Sequence, residues 1–420
     1  MRSFGRIVFE AGSGERERVV VEPLASARGY GVRGFWRMNT PLEPMTPAEM
    51  AEAVRSAPRV LAIGGGTKPR LSQVADDVVR ISTAKLRGIV EYEPSEFTFT
   101  ALAGTPVKEI AAALAARGQY LPFDPLFAEA GATLGGTVAS GVSGPGRFRF
   151  GGLRDFILGV RFVDGGGRLL RLGGKVVKNA AGFDLPKFFV GSLGRFGALA
   201  EMTFKVFPRP RATRTLRLEA KDTTAMVEMF SIAGRARWEL DALEASPGEG
   251  AVYARLAGPE AALEALAAEM LARWPGTMLG GDAAESFWRG VADASWAWES
   301  GSLVKVALAP TQVPEFIKAV PVGARAWVSA GGNAGYFSLA AGEVLPELSW
   351  PALTLRAGKC GAGALTRQLG SSGVGAPRPQ GEASATLEQP LWPGVRTRFE
   401  VMAAMKTALD PQNRFPSLDD

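Results

Sequence analysis

From residue 46 onward, apolar residues fall by turns into short alternating runs and into three-to-four-residue spacing, so the chain reads as interleaved strands and helices. Thr46-Pro47-Ala48-Glu49 sets a hydroxyl N-cap, a proline at the first helical position and a glutamate at the third, which predicts a helix start. Short β-type runs follow at 60–63, 78–81, 88–92 and 97–101, then a helix over 107–117 closed by Gly118. Residues 121–152 are glycine-rich without periodicity, and strands are expected at 156–163, 169–172 and 198–207 before the linker signal Pro208-Arg209-Pro210.

A second unit reads strand (215–220), helix (223–233), strands (239–244 and 251–256) and helix (260–274). A helix (285–294), strand (303–309), helix (314–320) and strands (325–329 and 336–340) then repeat that alternation, giving a helix-on-sheet layer. Gly, Ser, Ala and Pro dominate 358–390, read as a flexible loop, and a last helix over 396–409 stops at Asp410-Pro411. The expected division is therefore an N-terminal extension (1–41) without a clear periodic element, a first domain (42–210), a second (211–393), and a C-terminal helix and tail (394–420).

Composition narrows the chemistry. The net charge of +6 comes from 48 Lys and Arg against 42 Asp and Glu, scattered rather than gathered into a basic face, so no nucleic-acid partner is expected. No run of 18 apolar residues suits a membrane span, and the first residues lack the apolar stretch of a secretory signal, so a cytoplasmic location is expected. With one cysteine, Cys360, no intramolecular disulfide or cysteine-cluster metal site can form. Histidine is absent, which removes the usual near-neutral base, the Ser-His and Cys-His nucleophile pairs and imidazole metal ligands together. No metal site is expected.

Two loops can carry ligand chemistry. Gly64-Gly65-Gly66-Thr67-Lys68 ends an apolar strand with three glycines, a hydroxyl and an ammonium, a sequence able to point several N–H groups at one anion. A side chain at Gly65 is expected to block such a ligand. Residues 131–141, Gly-Ala-Thr-Leu-Gly-Gly-Thr-Val-Ala-Ser-Gly, are nearly free of large side chains yet lie between apolar flanks, which favours close approach of a flat ligand over a linker. Neither loop has the Gly-x-Gly-x-x-Gly spacing of a nicotinamide-dinucleotide turn, and Gly191, Gly194 and Gly197, the nearest approach to it, run into an apolar segment instead.

These segments, with Gly151-Gly152-Leu153-Arg154-Asp155-Phe156, the run 173–185, Gly191-Ser192-Leu193-Gly194-Arg195-Phe196-Gly197 and the closing Leu409-Asp410-Pro411, resemble the FAD-binding subunits of bacterial glycolate oxidase, within the vanillyl-alcohol-oxidase or PCMH-type flavoproteins. The resemblance implies an α+β fold: a PCMH-type FAD-binding domain of two α+β subdomains, then an α/β cap domain. It implies noncovalent FAD, with Gly64, Gly65, Gly66, Thr67, Lys68, Ala132, Thr133, Leu134, Gly135 and Gly136 about the pyrophosphate. Ala139, Ser140, Gly141, Ser143 and Gly144 would lie near the isoalloxazine, and Ser192, Gly194, Gly197 and Leu199 towards the adenine. Catalytic relatives usually carry glutamate where this chain has Leu193; the glycolate oxidase FAD-binding subunits tend to be apolar there.

The resemblance also implies a complex in which a homologous catalytic flavoprotein subunit oxidises a small hydroxy acid, beside an iron-sulfur subunit. Without histidine, no catalytic residue is identified here, and the alternative is a self-sufficient FAD dehydrogenase using a different base. A fold that has lost its flavin is a third reading, disfavoured by the retained glycines. Arg147, Arg149, Arg154, Lys175 and Lys178 flank the flavin motifs and can clamp an anion or simply face solvent. Trp274, Trp288, Trp296 and Trp298 are expected in the core or interface of the cap, and Cys360 in a noncatalytic setting.

Overall fold

The computed structural model describes residues 8–11, 17–20, 40–174, 185–358, 389–395 and 399–418. Two compact units divide the chain: Met1–Thr67, Ser72–Arg209 and Arg398–Asp420 form the first, and Lys68–Leu71 with Pro210–Thr397 the second. The C-terminal helix Phe399–Leu409 thus belongs to the first unit.

In the first unit, strands β1 (Val8–Ala11) and β2 (Glu17–Val20) pair with each other, and β2 extends the main sheet. The sequence shows no periodic element there because each strand is four residues long. Helix α1 (Pro47–Ser56) starts as its caps predict: the Thr46 hydroxyl accepts from the Glu49 amide at 3.1 Å, and the Glu49 carboxylate accepts from the Met45 amide at 2.8 Å. Its buried Met50 and Val54 lie on one helix face, and the helix packs on the main sheet. Strands β3 (Val60–Ile63) and β4 (Val79–Ser82) form a two-stranded parallel sheet, and β3 delivers the first glycine loop.

Then come β5 (Ile89–Glu93), β6 (Thr98–Leu102), helix α2 (Val107–Ala115), β7 (Gln119–Tyr120), helix α3 (Leu134–Ser140), helix α4 (Arg147–Phe150), β8 (Ile157–Val163), β9 (Leu169–Gly173), β10 (Ala198–Lys205) and β11 (Phe207–Pro208). The main antiparallel sheet runs β1-β2-β5-β6-β10-β8-β9, with β7 and β11 as a separate pair. Its core is phenylalanine-rich: Phe99 stacks on Phe204 at 5.8 Å between ring centroids, and Phe162 meets Phe189 at 4.3 Å. Helix α3 departs from the sequence expectation of glycine-rich irregular chain.

The second unit contains β12 (Ala212–Glu219), α5 (Thr223–Arg235), β13 (Ala242–Ser246), β14 (Ala251–Gly258), α6 (Glu260–Arg273), β15 (Gly276–Leu279), α7 (Gly281–Ala292), β16 (Ser302–Ala307), α8 (Val313–Ala319), β17 (Arg325–Ser329), β18 (Ala334–Leu339) and β19 (Ala352–Arg356). Its eight strands run β15-β12-β14-β13-β17-β18-β16-β19. From each edge inward, the order is fourth, first, third and second strand of a β-α-β-β-β series, with α6 added before the fourth strand of the first half, so the sheet is two like halves meeting at their second strands. The repeat extends to length: β13, the turn Pro247–Glu249 and β14 from Ala251 match β17, the turn Ala330–Gly332 and β18 from Ala334. At the seam, Ala245 of β13 pairs with Val328 of β17, the fourth residue of each strand. Strands β15 and β19 were not expected from sequence.

Beside that pair, fully buried Glu244 accepts from Trp327 Nε1 at 2.6 Å, Ser329 Oγ at 2.8 Å and the Ala330 amide at 3.0 Å. Desolvation pushes its carboxyl up to about 7 against those stabilising donors. Trp296 stacks on Trp327 at 5.8 Å, the Trp288 indole donates to Thr215, and Trp274 meets Trp238 edge-on at 5.6 Å. Arg325 lies 3.8 Å from the centre of the Trp298 ring.

Candidate functional site

The glycine loops meet at the start of α3. A Cβ added at Gly64 would stand 2.3 Å from Thr133 Oγ1, and one at Gly65 would stand 1.9 Å from the Gly131 carbonyl oxygen. Glycine at 65 is therefore required by loop-on-loop packing, a different reason from the ligand obstruction expected from sequence. Gly66 has a φ of +68° and open space where its Cβ would be. Gly64, Gly65 and Gly66 are exposed, and no backbone carbonyl among the described residues accepts from their amides. Such a run of N–H groups without a backbone carbonyl partner suits an anion.

At the start of α3, by contrast, the amides are already used. Thr133 caps the helix, accepting from Gly136 N at 3.3 Å, while Leu134 N donates to Thr105 O at 2.9 Å and Gly135 N to Ala103 O at 2.8 Å. Ala132 N donates to Phe127 O at 2.9 Å, and the Ala132 and Leu134 side chains are buried. The helix stands here because Gly135 fits against the Ala103 backbone, where a Cβ would lie 3.0 Å from the carbonyl oxygen. Gly136 and Ala139 are its partly exposed positions, three residues apart and so on one face, with nothing larger than a methyl group.

The far end of α3 is closed by the last glycine motif: Gly191 N donates to Val138 O at 3.0 Å and Leu193 N to Ala139 O at 2.8 Å. Gly141 caps α3 with a φ of +63° and packs on Gly191, where a Cβ would lie 2.9 Å from Gly191 Cα. Gly194 approaches Leu61 of β3, with 3.0 Å from its would-be Cβ to Leu61 Cδ1. Gly64–Gly66, Thr133–Gly141 and Gly191–Gly194 thus converge on one short helix. Two buried hydroxyl oxygens, Thr137 Oγ1 and Ser192 Oγ, find no hydrogen-bond partner among the described residues. Orphaned hydroxyls there fit a polar ligand. Thr137, which the sequence-derived set omitted, had one signal: a hydroxyl directly after Gly135-Gly136 in the second glycine-rich run.

Other expected residues are placed less directly. Ser140 Oγ donates to Thr137 O at 3.1 Å, and Ser143 Oγ is taken up by Leu153 N at 3.0 Å. A Cβ on Gly144 would lie 2.2 Å from Asp124 O. Gly197 packs on Phe162, and Leu199 is buried in β10 opposite the same Phe162. Thr67 is partly exposed and Lys68 buried, the burial pushing the Lys68 ammonium down to about 8. Arg147, Arg149 and Arg154 are exposed, while Lys175, Lys178 and Cys360 lie outside the described residues. Among the described residues, no group of three metal-binding side chains is gathered, and no helix is long and apolar enough to cross a membrane.

Residues 41–173 match a protein family described as FAD binding domain. The chain is 41% identical over 233 residues to the glycolate oxidase subunit GlcE of Escherichia coli, covering 54% of this chain and 62% of that protein. It is 29% identical over 238 residues to a D-2-hydroxyglutarate dehydrogenase of Xanthomonas citri, covering 54% and 49%, and 32% identical over 128 residues to the glycolate oxidase subunit GlcD of Bacillus subtilis, covering 30% and 27%. The chain thus spans less than two thirds of each of these relatives. A solved alkyldihydroxyacetonephosphate synthase shares the fold at a TM-score of 0.57 and 16% identity, covering 89% of this chain and 74% of that one. The fold is PCMH-type, residues 41–173 are an FAD binding domain, and FAD is the cofactor this chain is built to hold.

Proposed function

We propose that this chain is the FAD-bearing subunit of a glycolate-oxidising, 2-hydroxy acid dehydrogenase complex. The observation that carries this reading is an FAD cradle of bare amides and small residues in a chain with no histidine. The Gly64–Gly66 amides, with Thr67, would hold the pyrophosphate. The Gly136 and Ala139 face of α3 would take the flat part of the cofactor, and the hydroxyls of Thr137 and Ser192 would be available to it. When bound, FAD supplies a two-electron acceptor. The protein's part is binding and orientation; the substrate proton is removed elsewhere, in a homologous catalytic flavoprotein subunit that binds the small hydroxy acid.

The resemblance also implies an iron-sulfur subunit in the assembly; this chain, with one cysteine, cannot itself supply the thiolates a cluster needs. The alternative, a self-sufficient dehydrogenase, draws on Glu244 at about 7 and Lys68 at about 8, groups brought near neutrality among the described residues. Glu244 is wholly buried with both oxygens engaged, and Lys68 is 6% exposed, so neither is offered to a substrate. Steady-state assay with glycolate, D-lactate and an artificial acceptor decides between them. Activity that arises only when the partner subunits are added supports the complex; equal activity without them supports the self-sufficient enzyme.

A further inference from the structure

Behind the glycine loops, the C-terminal segment ties two of them to one ammonium group. Buried Lys406, in the last turn of the C-terminal helix, shares its three N–H groups among four oxygens: Arg195 O at 2.8 Å, Asp410 Oδ2 at 2.6 Å, Phe415 O at 2.9 Å and Pro416 O at 3.1 Å. The first bond reaches the Gly191–Gly197 turn. There the Arg195 guanidinium donates to Leu193 O at 2.6 Å, and Leu193, held at a left-handed φ of 51°, donates its amide to Ala139 O of α3 at 2.8 Å. A left-handed leucine persists only where its surroundings fix it.

The other three bonds brace the turn that follows the helix. Asp410, fully buried, accepts from Arg414 N at 2.9 Å and Phe415 N at 2.9 Å, and Arg414 O in turn accepts from Val60 N at 2.6 Å. Val60 is the first residue of β3, whose end leads into Gly64. Lys406 therefore stands at the joint between the Ser192 turn and the root of the Gly64 loop, some distance along the chain from both, without belonging to either.

We propose that Lys406 is a positioning residue for FAD: through Arg195 O and the Asp410 turn it fixes the separation of the two glycine loops, so FAD occupancy and order in residues 406–416 are coupled. The proposal rests on the assignment of these loops to FAD. Coupling is reciprocal, so FAD must steady the C-terminal segment as much as that segment favours FAD. Hydrogen-exchange mass spectrometry on the wild-type chain, with and without FAD, reads one direction. FAD should slow amide exchange across 406–416 as well as across 64–68 and 191–197.

The other direction is read by the FAD dissociation constants of Lys406→Met and of Thr203→Val, a structural control that breaks the buried Thr100–Thr203 hydroxyl contact in the main sheet. Lys406→Met should weaken FAD about tenfold or more, while Thr203→Val should lose stability with FAD affinity within about twofold of wild type. Protection of 64–68 and 191–197 without 406–416, or Lys406→Met that is less stable yet binds FAD like wild type, overturns the positioning role and leaves the loop assignment standing. FAD that protects none of these segments overturns both. Should Lys406→Met fail to fold, the wild-type exchange pattern alone decides.

Discussion

At Gly65 an added Cβ would stand 1.9 Å from the Gly131 carbonyl oxygen, whereas at Gly66 it would meet nothing within 4 Å. Gly65→Ala is therefore expected to displace the loop, lowering stability and FAD affinity together. Gly66→Ala pays only the left-handed backbone cost, about 1 kcal/mol, yet sets a methyl among the exposed amides, so FAD should weaken about tenfold or more in an equilibrium titration. Unchanged FAD affinity in Gly66→Ala would remove that turn from the phosphate site. The orphaned hydroxyl of Thr137 gives a cleaner separation, because valine keeps its shape. Losing an unpaired buried hydroxyl relieves about 1–3 kcal/mol of desolvation, so Thr137→Val should match or exceed wild-type apo stability while FAD binds more weakly. Urea unfolding of the apo chain and FAD titration together check this, and equal FAD affinity would mean that Thr137 does not meet the cofactor. The three glycines of 64–66 could be read from sequence as an anion turn; that Gly65 serves its neighbour Gly131 could not, since the two are joined only by folding.

Helix α3 shows where pattern reading stops. Gly135 and Gly136 weaken a helix intrinsically, so local propensity argues for loop; the Thr133 cap, the Ala103 and Thr105 carbonyls and the close fit of Gly135 on Ala103 supply what the sequence lacks. β3 and β17, by contrast, were legible residue for residue because apolar runs between turn signals define them. The seam between β13 and β17 makes a test at the same scale. Glu244 has its folded pKa raised to about 7, above its ordinary value of 4.5, so the folded state holds that proton more tightly than the unfolded chain. Its contribution to stability is fully present below about pH 4.5 and is lost as pH rises through about 7. Glu244→Gln removes this titration, at the cost of an amide facing the Trp327 donor. The wild-type unfolding midpoint should therefore fall relative to that of the variant between pH 5 and 8, by the free-energy linkage. Parallel pH profiles would show that Glu244 is ionised throughout.

Taken whole, the chain pairs an FAD domain closed by its own C-terminal helix with a second unit built from two like halves. The alternation of strands and helices was legible in the sequence. The mirrored order of the halves was not, because strand neighbours are chosen by tertiary packing rather than by sequence proximity. With no histidine and one cysteine outside the flavin motifs, FAD should be held without a covalent bond. Acid precipitation should leave a colourless pellet and a yellow supernatant, and a yellow pellet would contradict noncovalent binding. On the proposed reading this chain holds FAD but does not itself take the substrate proton. The most direct test is anaerobic rapid mixing of the purified FAD-loaded chain with glycolate while flavin absorbance is followed. The flavin spectrum should stay undiminished with the chain alone and bleach once the catalytic partner is present; bleaching by the isolated chain at about 10 per second, an ordinary enzymatic rate, would show that the chain oxidises glycolate by itself.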